Sequence, residues 1–347
     1  MKTSNSLAFA AALSALLFTS SVAAAATITV DPRDPKAYAT LSEAVDRLKP
    51  GDTLVLAPGS GPFREPLHIR VSGTAAAPIT IEGNGNEVTG FDPLVFTALP
   101  DGRMAAPVVV EHPFVLRHNG SRVAEDAATA AFVGGITYNA TAKQLVLNPD
   151  VSPEGWEISV RDFAVRVSGV SHHVYRNLAG TGSRNDGFNL HGDGTGLRFE
   201  SITGSQNLDE GFSAHATSES EIRGGRFFEN DNGMLNGFQT VTRLENVDVF
   251  DNLGLGLAFN GEAKVDGVGV RTWGNGLTQL LLRKGVQARF TGIEIYRNPH
   301  QTRPWVTYME SARWPRPVTM SVDRGVTSDG IPLTQMLEAA PADAPTR

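Results

Sequence analysis

Apolar and polar residues alternate in short runs along most of this chain, and the runs recur at a nearly fixed interval. Phe188-Asn-Leu-His191 and Phe212-Ser-Ala-His215 each place apolar residues first and third. That period of two belongs to a β-strand with one buried face. Asn185, Asn207, Asn230, Asn252, Asn275 and Asn298 punctuate the runs at intervals of 22, 23, 22, 23 and 23 residues. A glycine follows the first five, at Gly187, Gly211, Gly233, Gly254 and Gly276, and then an apolar residue, Phe188, Phe212, Met234, Leu255 and Leu277. A second strand carries Ile202, Val247, Val270 and Ile293, each five residues before the next asparagine. So regular a period marks a stacked repeat. The predicted fold is all-β, a single-stranded right-handed parallel β-helix, with the hand following from the preference of parallel crossovers. Asparagines stacked at an inward corner would hydrogen-bond from rung to rung and set the register.

The flanks read differently. Residues 1–26, with Lys2, the apolar run Leu7 to Phe18 and Ala23 to Ala26, read as a cleaved secretory signal peptide. The β-helix domain is expected over 27–325. It opens with a strand at Thr27 to Val30, then a capping box, Thr40-Leu-Ser-Glu43, which starts a short amphipathic helix over 41–48. Such a helix would cover the open first rung. Strands follow near 52–57, 67–71 and 78–82. Residues 91–155 break the period and read as a lateral excursion with a hairpin over 135–147. From 299 onward the period is lost, apart from a candidate strand at Val318 to Val322. Residues 326–347 read as a C-terminal tail, disordered over Pro341 to Arg347.

Composition narrows the setting. The chain has 347 residues, no cysteine and a net charge of −7. An exported protein without cysteine relies on packing and ladder hydrogen bonds rather than disulfides. No basic stripe is present, which argues against a nucleic-acid partner. No apolar run is long enough for stable membrane insertion. A monomer, secreted or periplasmic, is expected.

Alternation also assigns the outer wall. Asn189, His191, Ser213, His215 and Arg283 should point outward, and the spacing puts His191, His215, Asn260 and Arg283 in one column about 20 Å long. That length suits several units of an extended polymer. Asn189, Ser213, Asn260 and Lys284 are the candidate substrate contacts. A second column is acidic: Asp186, Asp209 and Asp231, with Glu210 beside Asp209. Carboxylates a rung apart repel, and calcium held by Asp186, Asp209 and Glu210 would relieve this. Two readings stay open beside it. The aspartates are ordinary corner residues, or Asp186 and Asp209 are paired carboxylates for glycoside hydrolysis.

Two stretches resemble the secreted parallel β-helix polysaccharide lyases that include alginate lyases and chondroitinase B. One runs from Ala39 through Pro50-Gly-Asp-Thr53 to Gly59 and continues over Ser72 to Gly83. The other is Leu280-Leu-Leu-Arg-Lys-Gly285 with Ile295-Tyr-Arg-Asn298. The resemblance implies β-elimination on a uronic-acid polysaccharide, with Arg283 as the catalytic arginine. It also implies a catalytic lysine one coil earlier. That position falls near Asn260, and the nearest lysine is Lys264. The rungs ending at Phe188 and Phe212 are similar to those of calcium-binding β-helix lyases. Such chemistry needs a cation at the sugar carboxylate and a base at C5. His215 is the favoured base, with His191 beside it and Lys264 or Lys284 as alternatives. A C5-epimerase, a glycoside hydrolase and a non-catalytic carbohydrate-binding or cell-surface protein remain alternatives on the same scaffold.

Overall fold

A computed structural model of the chain describes residues 24–126, 129, 131–298, 306–309, 317–327 and 333. The expected signal peptide, apart from its last three residues, and most of the expected tail lie outside the described residues. The chain winds into a parallel β-solenoid with three walls. One wall has ten strands, from Thr27–Val30 to Thr319–Asp323, and the other two have eight each. Every pairing within these walls is parallel, for example Phe188 opposite Phe212 and Val165 opposite Phe188. Among the described residues no helix is long and apolar enough to cross a membrane. One short helix, Leu41–Val45, begins at Thr40, whose side chain accepts from the Glu43 N–H, and it ends earlier than expected. Its Leu41 and Ala44 are fully buried.

The interior is a column of apolar side chains. Phe188, Phe212, Met234, Leu257 and Leu280 are in register on one wall and are all 0% exposed. Burying each contributes about 2 kcal/mol relative to exposure. The expected fourth and fifth members were Leu255 and Leu277. Gly254 and Gly276 belong to the corner, and the core residue lies five residues after Asn252 and Asn275, as Phe212 does after Asn207, so the register falls on Leu257 and Leu280 instead.

Beside this column runs the amide ladder, shorter than the spacing implied. Asn207, Asn230 and Asn252 each donate a backbone and a side-chain N–H to the Oδ1 of the next asparagine, at 2.8–3.1 Å. Ser183, not Asn185, is the first member, its N–H and hydroxyl both donating to Asn207 Oδ1. The last acceptor is Gln279, whose longer side chain reaches Asn275 from within the same coil. Asn298 donates to the backbone carbonyls of Gly274 and Asn275. Glycine precedes Phe188, Phe212, Met234 and Leu257 for a steric reason, and Gln279 takes that place before Leu280. A Cβ on Gly187 would lie 2.6 Å from the Asn207 side-chain nitrogen, and one on Gly256 would lie 2.6 Å from that of Asn275.

The non-periodic stretch is a small antiparallel unit of its own. A four-stranded sheet and a six-stranded sheet enclose Phe114, Leu116, Phe132, Ile136, Leu145 and Trp156. Its hairpin pairs Ile136–Asn139 with Gln144–Leu147. The unit leaves the solenoid at Gly90 and returns at Val160, whose N–H donates to the Gly90 carbonyl at 2.8 Å. Its ends therefore meet, and the stack continues beneath it. Arg117, nearly buried, pairs with Glu87 and Glu157 and fixes the unit to the wall.

Where the period is lost, the coils persist. Val306–Met309 pairs with the strand of Leu280, Thr319–Asp323 with Gln287–Thr291, and Val326–Thr327 with Glu294–Ile295. Longer connections hide this turn from a periodicity reading, and the first residues of the expected tail belong to it.

The ladder predicts a specific weakness. Asn230→Ala removes the acceptor shared by both Asn207 donors and the side-chain donor to the Gly204 carbonyl, and leaves Asn252 Oδ1 with only the backbone N–H of residue 230. Urea denaturation is expected to show a loss of about 3 kcal/mol. Replacing an exposed residue of the same coil, such as Glu219, should cost under about 0.5 kcal/mol.

Candidate active site

The outer face of one eight-stranded wall carries most of the candidate residues. Its rungs are Val165–Ser168, Phe188–His191, Glu210–Ala214, Asn232–Asn236, Leu255–Phe259 and Thr278–Arg283. Because Leu190 pairs with Ala214, Ala214 with Asn236, Asn236 with Phe259 and Phe259 with Leu282, the next residues share a column. They are His191, His215, Gly237, Asn260 and Arg283. The two imidazoles stack, with centroids 4.3 Å apart and planes 12° from parallel. His191 is exposed and His215 half-buried. Burial, then the neighbouring His191, holds the His215 imidazole below its ordinary range, against a smaller opposing pull from Asp186. His215 is therefore neutral at pH 7, with a ring nitrogen able to take a proton.

Arg283 stands three rungs from His215, roughly 14 Å along the column. The two therefore stand well apart along the column, within the length expected from the spacing. Arg283 is half-buried, and desolvation lowers its pKa. Lys284 follows it in a left-handed turn at φ 62°. Asn260 Oδ1 accepts from the Gly261 N–H. Lys264 begins a strand on the ten-stranded wall, away from this column.

Next to the histidines lies a carboxylate cluster. One ligand atom from each of Asp186, Asp209 and Glu210 falls within 4.8 Å of the others. Asp186 is 2% and Glu210 6% exposed. Glu210, rather than Asp209, lies in line with Asp186, and Asn232 is next in that line. Asp231 is exposed and outside the cluster of three. Burial, then the charges of Asp186 and Asp209, pushes Glu210 far up. Burial also raises Asp209, joined by the charges of Asp186 and Asp231.

Asn189 and Ser213, expected as open substrate contacts, are 1% and 0% exposed. They hold Asp186 instead. Asn189 Nδ2 and the Ser213 hydroxyl both donate to Asp186 Oδ2 at 2.6 Å, and Asn189 Nδ2 also donates to Ser213. The Glu210 N–H donates to Asp186 Oδ1. These bonds fix the orientation of the Asp186 carboxyl group. Ser213 and His215 share the outer face two residues apart, about 7 Å, so the cluster and the imidazole pair form one site.

The residues fit a hard divalent cation. All donors are oxygen, three carboxyl groups converge from adjacent rungs, and Asn189 Oδ1 is a buried acceptor without a hydrogen-bond partner. Calcium suits such a set.

Sequence reasoning overlooked two contributors. Asn232 donates to Glu210 Oε1 at 3.2 Å and closes the cluster on the next rung. Its place in Asp231-Asn-Gly233, a variant of the preceding repeats, was a readable signal. Arg122 comes from the lateral unit and donates to the carbonyls of Asn207 and Glu229 beside the cluster. Burial lowers its pKa to about 10, against the charges of Asp231 and Glu229. No periodicity could have placed it.

No known protein family matches the sequence, and no curated protein does. Solved structures do. XylC in complex with xylose matches with 11% identity over 87% of this chain and 68% of its own, at a TM-score of 0.53. Pectate lyase Pel9A matches with 15% identity over 93% and 83%, at 0.45. An alginate lyase from Paenibacillus sp. str. FPU-7 matches with 15% identity over 86% and 95%, at 0.41. At these identities the likeness concerns the fold, a parallel β-solenoid.

The raised carboxyl groups give a pH signature. Groups with raised folded pKa bind more protons folded than unfolded, so stability falls as pH rises above their ordinary range. With a chelator present, the melting temperature should drop between about pH 7 and about pH 9, where the histidines no longer titrate. Calcium should flatten that slope, and Glu210→Gln should flatten it without calcium.

Proposed function

We propose that this chain is an exported carbohydrate-active protein that cleaves a uronic-acid-containing polysaccharide by β-elimination. The observation that carries this reading is the stacked His191/His215 pair, with His215 held neutral, beside three converging carboxyl groups on one solenoid face. Export rests on the apolar run Leu7 to Phe18.

A neutral imidazole is the right base for the step. The C5 proton of a uronic acid becomes removable only when the adjacent carboxylate is neutralised. His215 takes that proton on a ring nitrogen. The C5–H electron pair becomes the C4=C5 double bond, the C4–O bond breaks, and the departing oxygen takes a proton from solvent. His191, stacked on His215 and more exposed, orients the ring and meets the sugar. Asp186, Asp209 and Glu210 would hold calcium, which supplies the positive charge opposite the sugar carboxylate. Asn189, Ser213 and Asn232 aim those carboxyl groups. Arg283, with Lys284 and Asn260, is placed to hold the carboxylate of a sugar unit further along the polymer. A cationic contact of this kind offsets the net acidity of the chain, which would otherwise repel a polyanion.

A binding protein without catalysis is the second reading. Asn260 favours it, because it stands where the resembled lyases carry a lysine. Incubation with alginate, pectate and chondroitin separates the readings. Ultraviolet absorbance of an unsaturated product supports elimination. New reducing ends without absorbance indicate a hydrolase, and retention on the polymer with neither indicates a binding protein. With elimination established, His215→Ala should lower kcat by about 10²-fold or more. The acid limb of the rate profile should lie below the ordinary imidazole range, because His215 stays neutral to lower pH. Full activity after changing both histidines would overturn the assignment.

A further inference from the structure

Phe238 lies one residue beyond the outward column, in the turn after Asn232–Asn236. It is 63% exposed, and its backbone is left-handed at φ 59°. That conformation is costly for a bulky L residue, and glycine or asparagine would hold it at less cost. The same turn position on neighbouring coils is also left-handed, and there it carries Gly192, Ala216, Gly261 and Lys284. Aromatic substitution occurs in this one coil. The next coil gives way to it: a Cβ on Gly261 would lie 2.8–2.9 Å from the Phe238 backbone. Phe238 thus combines backbone strain with an apolar ring left in water. Neither stabilises the fold.

The surroundings supply a reason. The Phe238 ring stands 6.1 Å from the His215 ring, tilted at 57°, and so lies next in line after the imidazole pair. Its outer face is free. A concavity of about 350 Å³ opens beside it, walled by Ala216, Thr217, Gln239 and Glu262. Gln239 is exposed, and the Thr217 hydroxyl donates to Asp193 at 2.6 Å. An open aromatic face ringed by an amide, a hydroxyl and a carboxylate matches a pyranose. The C–H face of such a ring lies on the negative face of the aromatic, and its hydroxyls reach the polar wall.

We propose that Phe238 is the floor of a sugar-stacking subsite, which receives the pyranose next along the polymer from the unit at His215. This rests on the carbohydrate reading of the His191/His215 site but not on its preference for acidic sugars, since stacking reads a ring face and not a charge. Phe238 is a substrate-positioning residue in this account and takes no part in proton transfer.

Affinity electrophoresis through gels containing alginate, pectate, chondroitin or neutral xylan tests the proposal, combined with thermal melting of Phe238→Asn and Phe238→Trp. Phe238→Asn should raise the melting temperature by roughly 2 °C, because asparagine relieves the left-handed strain. It should also weaken retention about tenfold. Phe238→Trp should be retained at least as well as the wild type. Equal retention of the asparagine variant and wild type overturns the subsite and leaves the proposed function standing. Loss of both retention and thermal stability in that variant assigns Phe238 a structural role and also overturns the subsite. Retention by xylan alone, lost in Phe238→Asn, supports the subsite and overturns the preference for an acidic polymer. A wild type retained by no gel overturns both.

Discussion

Buried amides that can be satisfied only by the coil above or below are what hold this molecule in register. Asn207, Asn230 and Asn252 sit at 0–2% exposure, where an unpaired amide would cost about 1–3 kcal/mol. Each finds its acceptor one coil on. A slip of one residue would break every such bond and turn every outward side chain inward. The glycines that follow belong to the same device, since a Cβ there would strike the next amide. Parallel strands then carry the register across the wall. The stacking of His191 on His215 follows from the pairing of Phe188 with Phe212.

Function on this scaffold is a matter of which like groups the stack forces together. Three carboxyl groups converge where two of them are nearly buried, and none of the ion pairs among the described residues involves them. Arg122 donates to backbone carbonyls alongside, and Arg283 is rungs away. Such a cluster stays protonated or takes a metal ion. Asn189 and Ser213 fix the direction of the Asp186 carboxyl group within it, both donating to the same oxygen. The imidazole pair obeys the opposite logic. Burial and a neighbouring ring keep His215 neutral, which suits a base. Acid and base groups of shifted pKa, set side by side along an open wall, are a combination that polymer chemistry can use.

Much of this was legible in the chain. The asparagine period and the two-residue alternation gave the solenoid, the column of His191, His215, Asn260 and Arg283, and the grouping of Asp186 with Asp209 and Glu210. What was illegible has physical causes. Glycine also occurs within the corner, at Gly254 and Gly276, so Leu257 and Leu280 took the places expected for Leu255 and Leu277. A hydroxyl or a longer amide can replace an asparagine, so Ser183 and Gln279 end the ladder in place of Asn185 and Asn298. Alternation tells which face a side chain takes but not how deeply it is covered, so Asn189 and Ser213 proved to be supports for Asp186. The lateral unit has a core of its own and no period, and neither its sandwich nor the reach of Arg122 to the wall could be read from spacing.

The central claim is that the stack brings the imidazole pair and the carboxylate cluster to bear on one sugar of an extended acidic chain. A crystal structure of the His215→Ala variant with calcium and an oligouronate tests it most directly. The account predicts an ion within about 2.3–2.6 Å of oxygens from Asp186, Asp209 and Glu210. It also predicts sugar rings running across the rungs, from His191 toward Arg283, with one carboxylate on the ion. An oligosaccharide bound on another wall, or a carboxylate cluster that takes no ion while the sugar occupies the site, would contradict it.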